Sequence, residues 1–159
     1  MAEVKNLALA KSVYATLCRT LEKNDWRYTS NEEELKISCG AQGEDLPMEL
    51  DIRVDADRML VMLLSLVPFT IQEDKRLEVA IAVSAINNAL VDGCFDYDIT
   101  SGRMFFRMTN SFIESQLGED LFSYMLFCSC QTIDEYNDKL LMVSKGMLSI
   151  EQFLKSMND

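Results

Sequence analysis

Apolar residues recur along this chain in two periods, and the switches between them divide it into ten elements. From Glu3 to Lys23 the positions Val4, Leu7, Ala10, Tyr14, Leu17, Cys18 and Leu21 follow helical spacing, ended by Asn24-Asp25. Trp26 and Tyr28 then begin a strand, and Asn31-Glu32-Glu33 turns the chain. Leu35, Ile37 and Cys39 alternate with Lys36 and Ser38 before a second turn over Gly40 to Asp45. Alternation is cleanest in the next strand, where Met48, Leu50, Ile52 and Val54 interleave with Glu49, Asp51, Arg53 and Asp55.

After the Asp55-Ala56-Asp57-Arg58 turn comes MLVMLLSLV, apolar on both faces. A turn of two or four residues, taken to pair Val54 with Met59, puts Met59, Val61 and Leu63 on the core face. Leu60, Met62, Leu64 and Leu66 then lie on the opposite face, beside Arg53, Asp51 and Glu49. An odd-length turn exchanges the two sets, yet an apolar stripe still faces outward. Something must cover it.

Pro68-Phe69 closes that strand, and a helix is expected from about Glu73 to Leu90. Its run Val79 to Val91 carries no ionisable group. A surface helix normally keeps a polar stripe toward water, so this one is either covered on two sides within its own domain or completes its burial against another chain. Val91-Asp92-Gly93 stops it. Phe95, Tyr97 and Ile99 alternate with Asp96 and Asp98, Ser101-Gly102 turns, and Met104 to Met108 returns as a second strand. A long helix is expected from near Ser115, with Phe122, Leu126, Ser129, Ile133, Tyr136, Leu140 and Val143 along one face. That face, with Ser in its seam, suits packing on a sheet better than a coiled coil. Gly146 suits its C-terminal cap, and Ser149 with Gln152 forms a capping-box pattern for a short final helix. No repeat, low-complexity tract or linker interrupts residues 1–159, which read as a single domain.

Charge narrows the partners. Fifteen basic residues against 26 acidic ones leave a net charge of −11, and Lys75-Arg76 is the densest basic pair. Such a field repels phosphate backbones and anionic lipid, so neither nucleic acid nor membrane is an expected partner. The acidity itself serves solubility, of the chain or of a basic or aggregation-prone partner. Met1 to Leu9 has no secretory layout, and no uncharged run approaches a membrane span. Five cysteines without CxxC spacing suit a reduced, cytoplasmic protein, with Cys18 and Cys39 as small buried hydrophobes.

Catalytic and metal chemistry find little to work with. With no His, triads, His-based acid–base steps and mixed zinc sites are unavailable. Gly-rich phosphate loops are also missing. Asp55-Ala56-Asp57 suits a turn in which Asp accepts backbone N–H groups. Read as a calcium loop, the Asp96-x-Asp98 segment places its Gly one position late and sets Arg107 where a bidentate Glu is needed. Cys94, between Asp92 and Asp96, sits in the wrong field for a low thiol pKa. No enzyme activity, cofactor or metal is expected.

The run KRLEVAIAVSAINNALVDGCFDYDITSGRMFFRM resembles the helix-and-hairpin centre of the YbjN family, within the larger group of type III secretion chaperone-like proteins. The resemblance rests on Ile86-Asn87-Asn88-Ala89-Leu90 at the helix end, Gly93-Cys94-Phe95, the acidic strand, and Phe105-Phe106-Arg107. It extends upstream to MELDIRVDADRMLVMLLSLVPF and downstream to Asp134-Glu135-Tyr136 and Gly146 with Ser149-x-Glu151. It implies an α+β fold of order α-β-β-β-β-α-β-β-α-α: a twisted antiparallel sheet with N-terminal, central and long C-terminal helices. It also implies a regulator of sensory transduction or a chaperone-like protein; secretion chaperones are small, acidic dimers that wrap extended client segments. The long C-terminal helix departs from the minimal chaperone plan.

Surplus apolar surface gives the functional expectation its physical basis. It is a non-enzymatic protein-binding module with a protein partner or client, acting as a homodimer. The candidate contact residues are Val79, Val83, Ile86 and Leu90 on the uncharged helix and Leu60, Met62, Leu64 and Leu66 on the strand. Burying four such side chains would contribute on the order of 6–10 kcal/mol before association costs. The alternative is a small-ligand sensor with an apolar pocket between the sheet and the C-terminal helix, lined by Met and Phe.

Overall fold

The structure, a computed structural model, describes residues 2–157, with side chains from residue 6; Val4 therefore lies outside the described side chains. The elements are α1 (Ala2–Lys23), β1 (Tyr28–Asn31), β2 (Lys36–Gln42), β3 (Pro47–Asp55), β4 (Leu60–Leu66), α2 (Arg76–Ala89), β5 (Cys94–Asp98), β6 (Arg103–Ser111), α3 (Glu119–Ser144) and α4 (Ile150–Ser156). The strands form one antiparallel sheet in the order β1-β2-β3-β4-β6-β5. This is the expected α+β fold, in the expected element order.

Alternation decides the layering. Ile37, Cys39, Met48, Leu50, Ile52, Val54, Val61, Leu63, Phe95, Met104, Phe106 and Met108 are buried on one side of the sheet. Their strand neighbours point the other way and are half-buried or exposed. The helices share the buried side: α1 packs on β3 and α3, α3 on β6, and α2 on β5, α3 and α4. All seven expected seam residues of α3 are buried, Phe122 through Val143. At about 1.5 Å per residue this helix runs roughly 39 Å across the sheet. It begins at Glu119 rather than near Ser115. At its other end Gly146 takes a left-handed φ of 68°, and Met147 N–H donates to the Met142 carbonyl at 2.9 Å, a Schellman closure. The Ser149–Gln152 capping box forms in both directions.

Three hairpins use one construction. Each pairs residues five apart across a four-residue turn: Asn31 with Lys36, Asp55 with Leu60 and Asp98 with Arg103. In each, the leading side chain accepts a backbone N–H inside the turn, from Glu34 (3.1 Å), Arg58 (2.9 Å) or Thr100 (2.9 Å). The last turn residue is left-handed: Leu35 (φ 52°), Met59 (φ 54°) and Gly102 (φ 73°). Only the third turn spends a glycine there; the other two accept about 1 kcal/mol of strain. Their carbonyls are not idle. Leu35 O accepts from Val54 N–H at 3.0 Å, and Met59 O from Phe112 N–H at 2.9 Å.

This construction corrects two expectations. Leu35 belongs to a turn, although its side chain is still buried, and Val54 pairs with Val61 while Met59 lies in the turn. The parity is unchanged, because a four-residue turn is even. Leu7, expected on the apolar face of α1, is 46% exposed.

The uncharged helix is mostly enclosed by its own domain. Val79, Val83 and Ile86 are core residues with at most 5% exposure, and Leu90 is half-buried against the same core. Their expected contact with a partner is therefore corrected: α3, α4 and β5 take those positions, which is why no polar stripe was needed there. The helix shows water Leu77, Ile81, Ser84 and Asn88 instead.

Side chains of α2 and α3 fasten the helices to the backbone of the sheet. Asn87 of α2 meets both backbone groups of Phe95, accepting from its N–H at 2.8 Å and donating to its carbonyl at 3.0 Å. This imitates a strand partner along part of the β5 edge. Asp134 of α3 accepts from Glu44 N–H at 2.9 Å, tying down the β2–β3 turn.

Gly102→Ala is expected to lower stability by about 2 kcal/mol or more, measured by urea unfolding. A Cβ there would stand 2.3 Å from the Ile71 carbonyl oxygen in a left-handed backbone. Thr109→Ala, on the exposed face of β6, should stay within about 0.5 kcal/mol of wild type.

Candidate docking surface

With every helix on one side, the opposite face of the sheet is left to solvent. Along its centre run Leu60, Met62, Leu64 and Leu66 of β4, the first three half-buried and Leu66 41% exposed. These are the four strand residues expected from the sequence, and the structure places them in one line. The four helix residues named with them lie on the other side of the sheet.

Charged rows flank the line. On β3, Glu49, Asp51, Arg53 and Asp55 alternate outward; on β6 the outward residues are Arg103, Phe105, Arg107, Thr109 and Ser111. Register sets the levels across the face. Ser38, Asp51, Leu64, Arg107 and Cys94 form one row, and Lys36, Arg53, Met62 and Thr109 form the next. Ser38 Oγ donates to Asp51 Oδ1 at 2.6 Å. The Arg103 guanidinium lies 5.7 Å from the Phe105 ring centroid. Between β1 and β3 the face is hollowed, where Arg27, Thr29, Ser38, Gly40, Glu49 and Asp51 line a shallow depression.

A bidentate ion pair on this face was missed from the sequence. Arg107 grips Asp96 with two nitrogens, Nε at 2.5 Å and Nη2 at 3.1 Å. Asp96 pairs with Phe105, so Arg107 is its diagonal neighbour, and only the register of the Asp98–Arg103 turn would have shown it. The hydrogen bonds from Arg107 hold the Asp96 carboxyl below its usual range. Asp98 is lowered as well, by hydrogen bonds from Ser101 and Thr100 in its turn.

Cys18, Cys39, Cys94 and Cys130 have raised pKa values. Burial pushes the Cys39 thiol up to about 12 and Cys130 to about 11. Cys94 is raised first by burial and then by Asp96, so the acidic neighbour expected to unsuit it for nucleophilic work is the smaller cause. Asp55 is a turn acceptor, as its motif implied. Among the described residues no group of three or more His, Cys, Asp or Glu could hold a metal ion. The interface between sheet and α3, where a ligand pocket was the alternative expectation, is filled by buried Phe95, Phe106, Met108, Phe122 and Tyr136. Phe95 meets Phe106 and Tyr136 edge-on at 5.2 and 6.4 Å.

The YbjN family profile, described as "Putative bacterial sensory transduction regulator", matches residues 14–142, from the middle of α1 nearly to the end of α3. The chain belongs to the YbjN family. Its fold is similar to a solved structure described as "Crystal structure of YbjN, a putative transcription regulator from E. coli", with a TM-score of 0.56 and 12% identity. That likeness covers 79% of this chain and 92% of the other. At that identity the likeness is one of fold. No curated protein matches. Among the described residues no helix is long and apolar enough to cross a membrane.

The Asp96–Arg107 pair gives a sign-determined pH effect. Because folding lowers the Asp96 pKa, its contribution is complete above the unfolded value near 4 and fades as pH falls through the folded value. Wild type is therefore expected to exceed Asp96→Asn in stability at pH 7, by less than about 1 kcal/mol for so exposed a pair. The gap should close as pH falls below about 4 in paired urea titrations.

Proposed function

We propose that this chain is a non-enzymatic, cytoplasmic protein-binding module that acts as a regulator by docking a protein on the open face of its sheet. A single observation supports this most: four large apolar side chains in register on a face that none of its own helices covers. Half-burial of Leu60, Met62 and Leu64 lowers the gain from covering them below that of fully exposed residues. Covering the line would contribute on the order of 4–6 kcal/mol. That does not outweigh association costs unaided, so the charged rows must match the partner too.

This geometry suits a broad, flat protein surface better than a small molecule. Apolar contact is central and polar groups form the rim, the anatomy of a protein interface. The net charge of −11 works against a nucleic-acid partner despite Arg103 and Arg107 on the face. The family's description as a regulator is compatible with action through binding.

A photo-crosslinking residue placed at Leu64 or Met62 in the source cell is expected to yield a protein adduct, and one at Leu77 on α2 to yield none. Absence of adducts at both sheet positions, or equal yield at Leu77, would overturn this reading.

A further inference from the structure

We infer that the groove between α2 and the outer edge of β5 takes an extended peptide segment that pairs antiparallel with Tyr97, an apolar residue between two basic ones. The site lies at the edge of the sheet, two strands from β4, and does not rest on the reading of the open face. β5 ends the sheet, so one side of its backbone has no strand partner. Phe95 shows which residues point that way, since its N–H and carbonyl both meet the Asn87 side chain. Antiparallel ladders alternate, so Tyr97, two residues on, also turns its N–H and carbonyl outward. Among the described residues no group bonds to either.

The helix closes this edge at two points and leaves the middle open. Asn87 holds Phe95, and Arg76 Nη1 donates to the Thr100 carbonyl at 2.6 Å. α2 therefore runs antiparallel to β5, and its two holds stand roughly 17 Å apart at about 3.4 Å per residue. A strand edge is normally blunted along its length; here the blunting skips Tyr97. The helix also stands clear of that window. Ala80, Val83 and Ser84 on one side and Tyr97 and Ile99 on the other line a groove of about 420 Å³. Two of the three helix residues are small, which keeps the groove open. Leu77 is not part of its lining.

Register sets the chemistry of the segment. In an antiparallel pair one residue exchanges both hydrogen bonds with the residue opposite, so the window at Tyr97 needs a single partner residue. Asn87 already makes the same two bonds to Phe95 with its side-chain amide. The side chain of the paired residue falls on the side of Tyr97, over Ala80 and Ser84, where a branched aliphatic chain such as Val is suited. Its two neighbours in the segment point the other way, beside Asp96 and Asp98. Asp96 is shared with Arg107, and Asp98 bonds only within its own turn. Lys or Arg at those two positions therefore meets a carboxylate on each, and the net charge of −11 favours the approach of a basic segment.

Titration of the whole chain against a capped, fluorophore-labelled peptide Thr-Lys-Val-Lys-Thr tests this by anisotropy. Binding is expected with a Kd between about 10 μM and about 1 mM, the range open to two hydrogen bonds and one seated side chain. Methylating the Val nitrogen removes the donor to the Tyr97 carbonyl at unchanged charge, and should weaken binding at least about tenfold. Ser84→Trp fills the groove from an exposed helix position. It should weaken binding equally with an unchanged circular dichroism spectrum, while Ser84→Ala should stay within about twofold of wild type. Hydrogen exchange at the Tyr97 amide should slow at least about fivefold in saturating peptide. Leu64→Glu should alter none of these values, so the docking face on β4 can fail without this site. Absence of binding at about 1 mM, or equal affinity for the methylated peptide or for Ser84→Trp, would overturn the pairing. Equal affinity for Thr-Glu-Val-Glu-Thr would overturn the basic pattern.

Discussion

The four-residue turn between β3 and β4 governs which side of this sheet is core. Asp55 pairs with Leu60 across it, and that even count sends Val61, Leu63 and Ser65 inward and Leu60, Met62, Leu64 and Leu66 outward. A slip of one residue would exchange the sets, because side chains alternate with a period of two. In β3 the slip would be ruinous, since one face is charged. In β4 it would cost less, since both faces are apolar. The register of β4 is therefore imposed by its neighbours. Asp55 caps the turn, Met59 accepts left-handed strain, and the Met59 carbonyl is held by Phe112 on the far side.

Much of the fold was legible in the chain because the two periods are clean where burial is one-sided. The alternation Met48-Leu50-Ile52-Val54 and the α3 seam from Phe122 to Val143 both fall on the core as read. Less legible were features that depend on register across strands or on contacts distant in sequence. The Asp96–Arg107 grip needs the pairing of Asp98 with Arg103. Leu35 and Met59 carry no local sign of a left-handed backbone, since neither is Gly or Asn. The Asn87 bridge to Phe95 shows in the sequence only as a polar residue inside an apolar run, ahead of a Gly turn.

The uncharged helix shows how one pattern admits two causes. Absence of charge from the run implies that much of the helix is shielded, although Ile81, Ser84 and Asn88 still face water, and it does not say whose surface does the shielding. Here the small side chains Ala80, Ala82 and Ala85 belong to a helix set against α3, α4 and β5 at once. The residues expected to meet a partner, Val79, Val83 and Ile86, are consumed by that internal packing. On β4 the pattern admits fewer placements, because a strand has only two faces, and the helices cover one.

That leaves the question of how a face with four large apolar residues stays soluble while it is open. Long charged side chains border the line on both sides, and Arg53 can lay its aliphatic stem over it while keeping its head in water, whereas Arg107 is held toward Asp96 on β5. Such cover lowers the exposed apolar area without closing the face, which is consistent with the half-burial of Leu60, Met62 and Leu64. It also stays reversible, because an arginine displaced from the line can turn its guanidinium to a carboxylate opposite. A surface guarded in this way is selective: a partner must supply an acid where Arg107 lies and tolerate one where Asp51 lies, on the same level across Leu64. The same charges that keep the open sheet in solution therefore set the terms on which it can be covered.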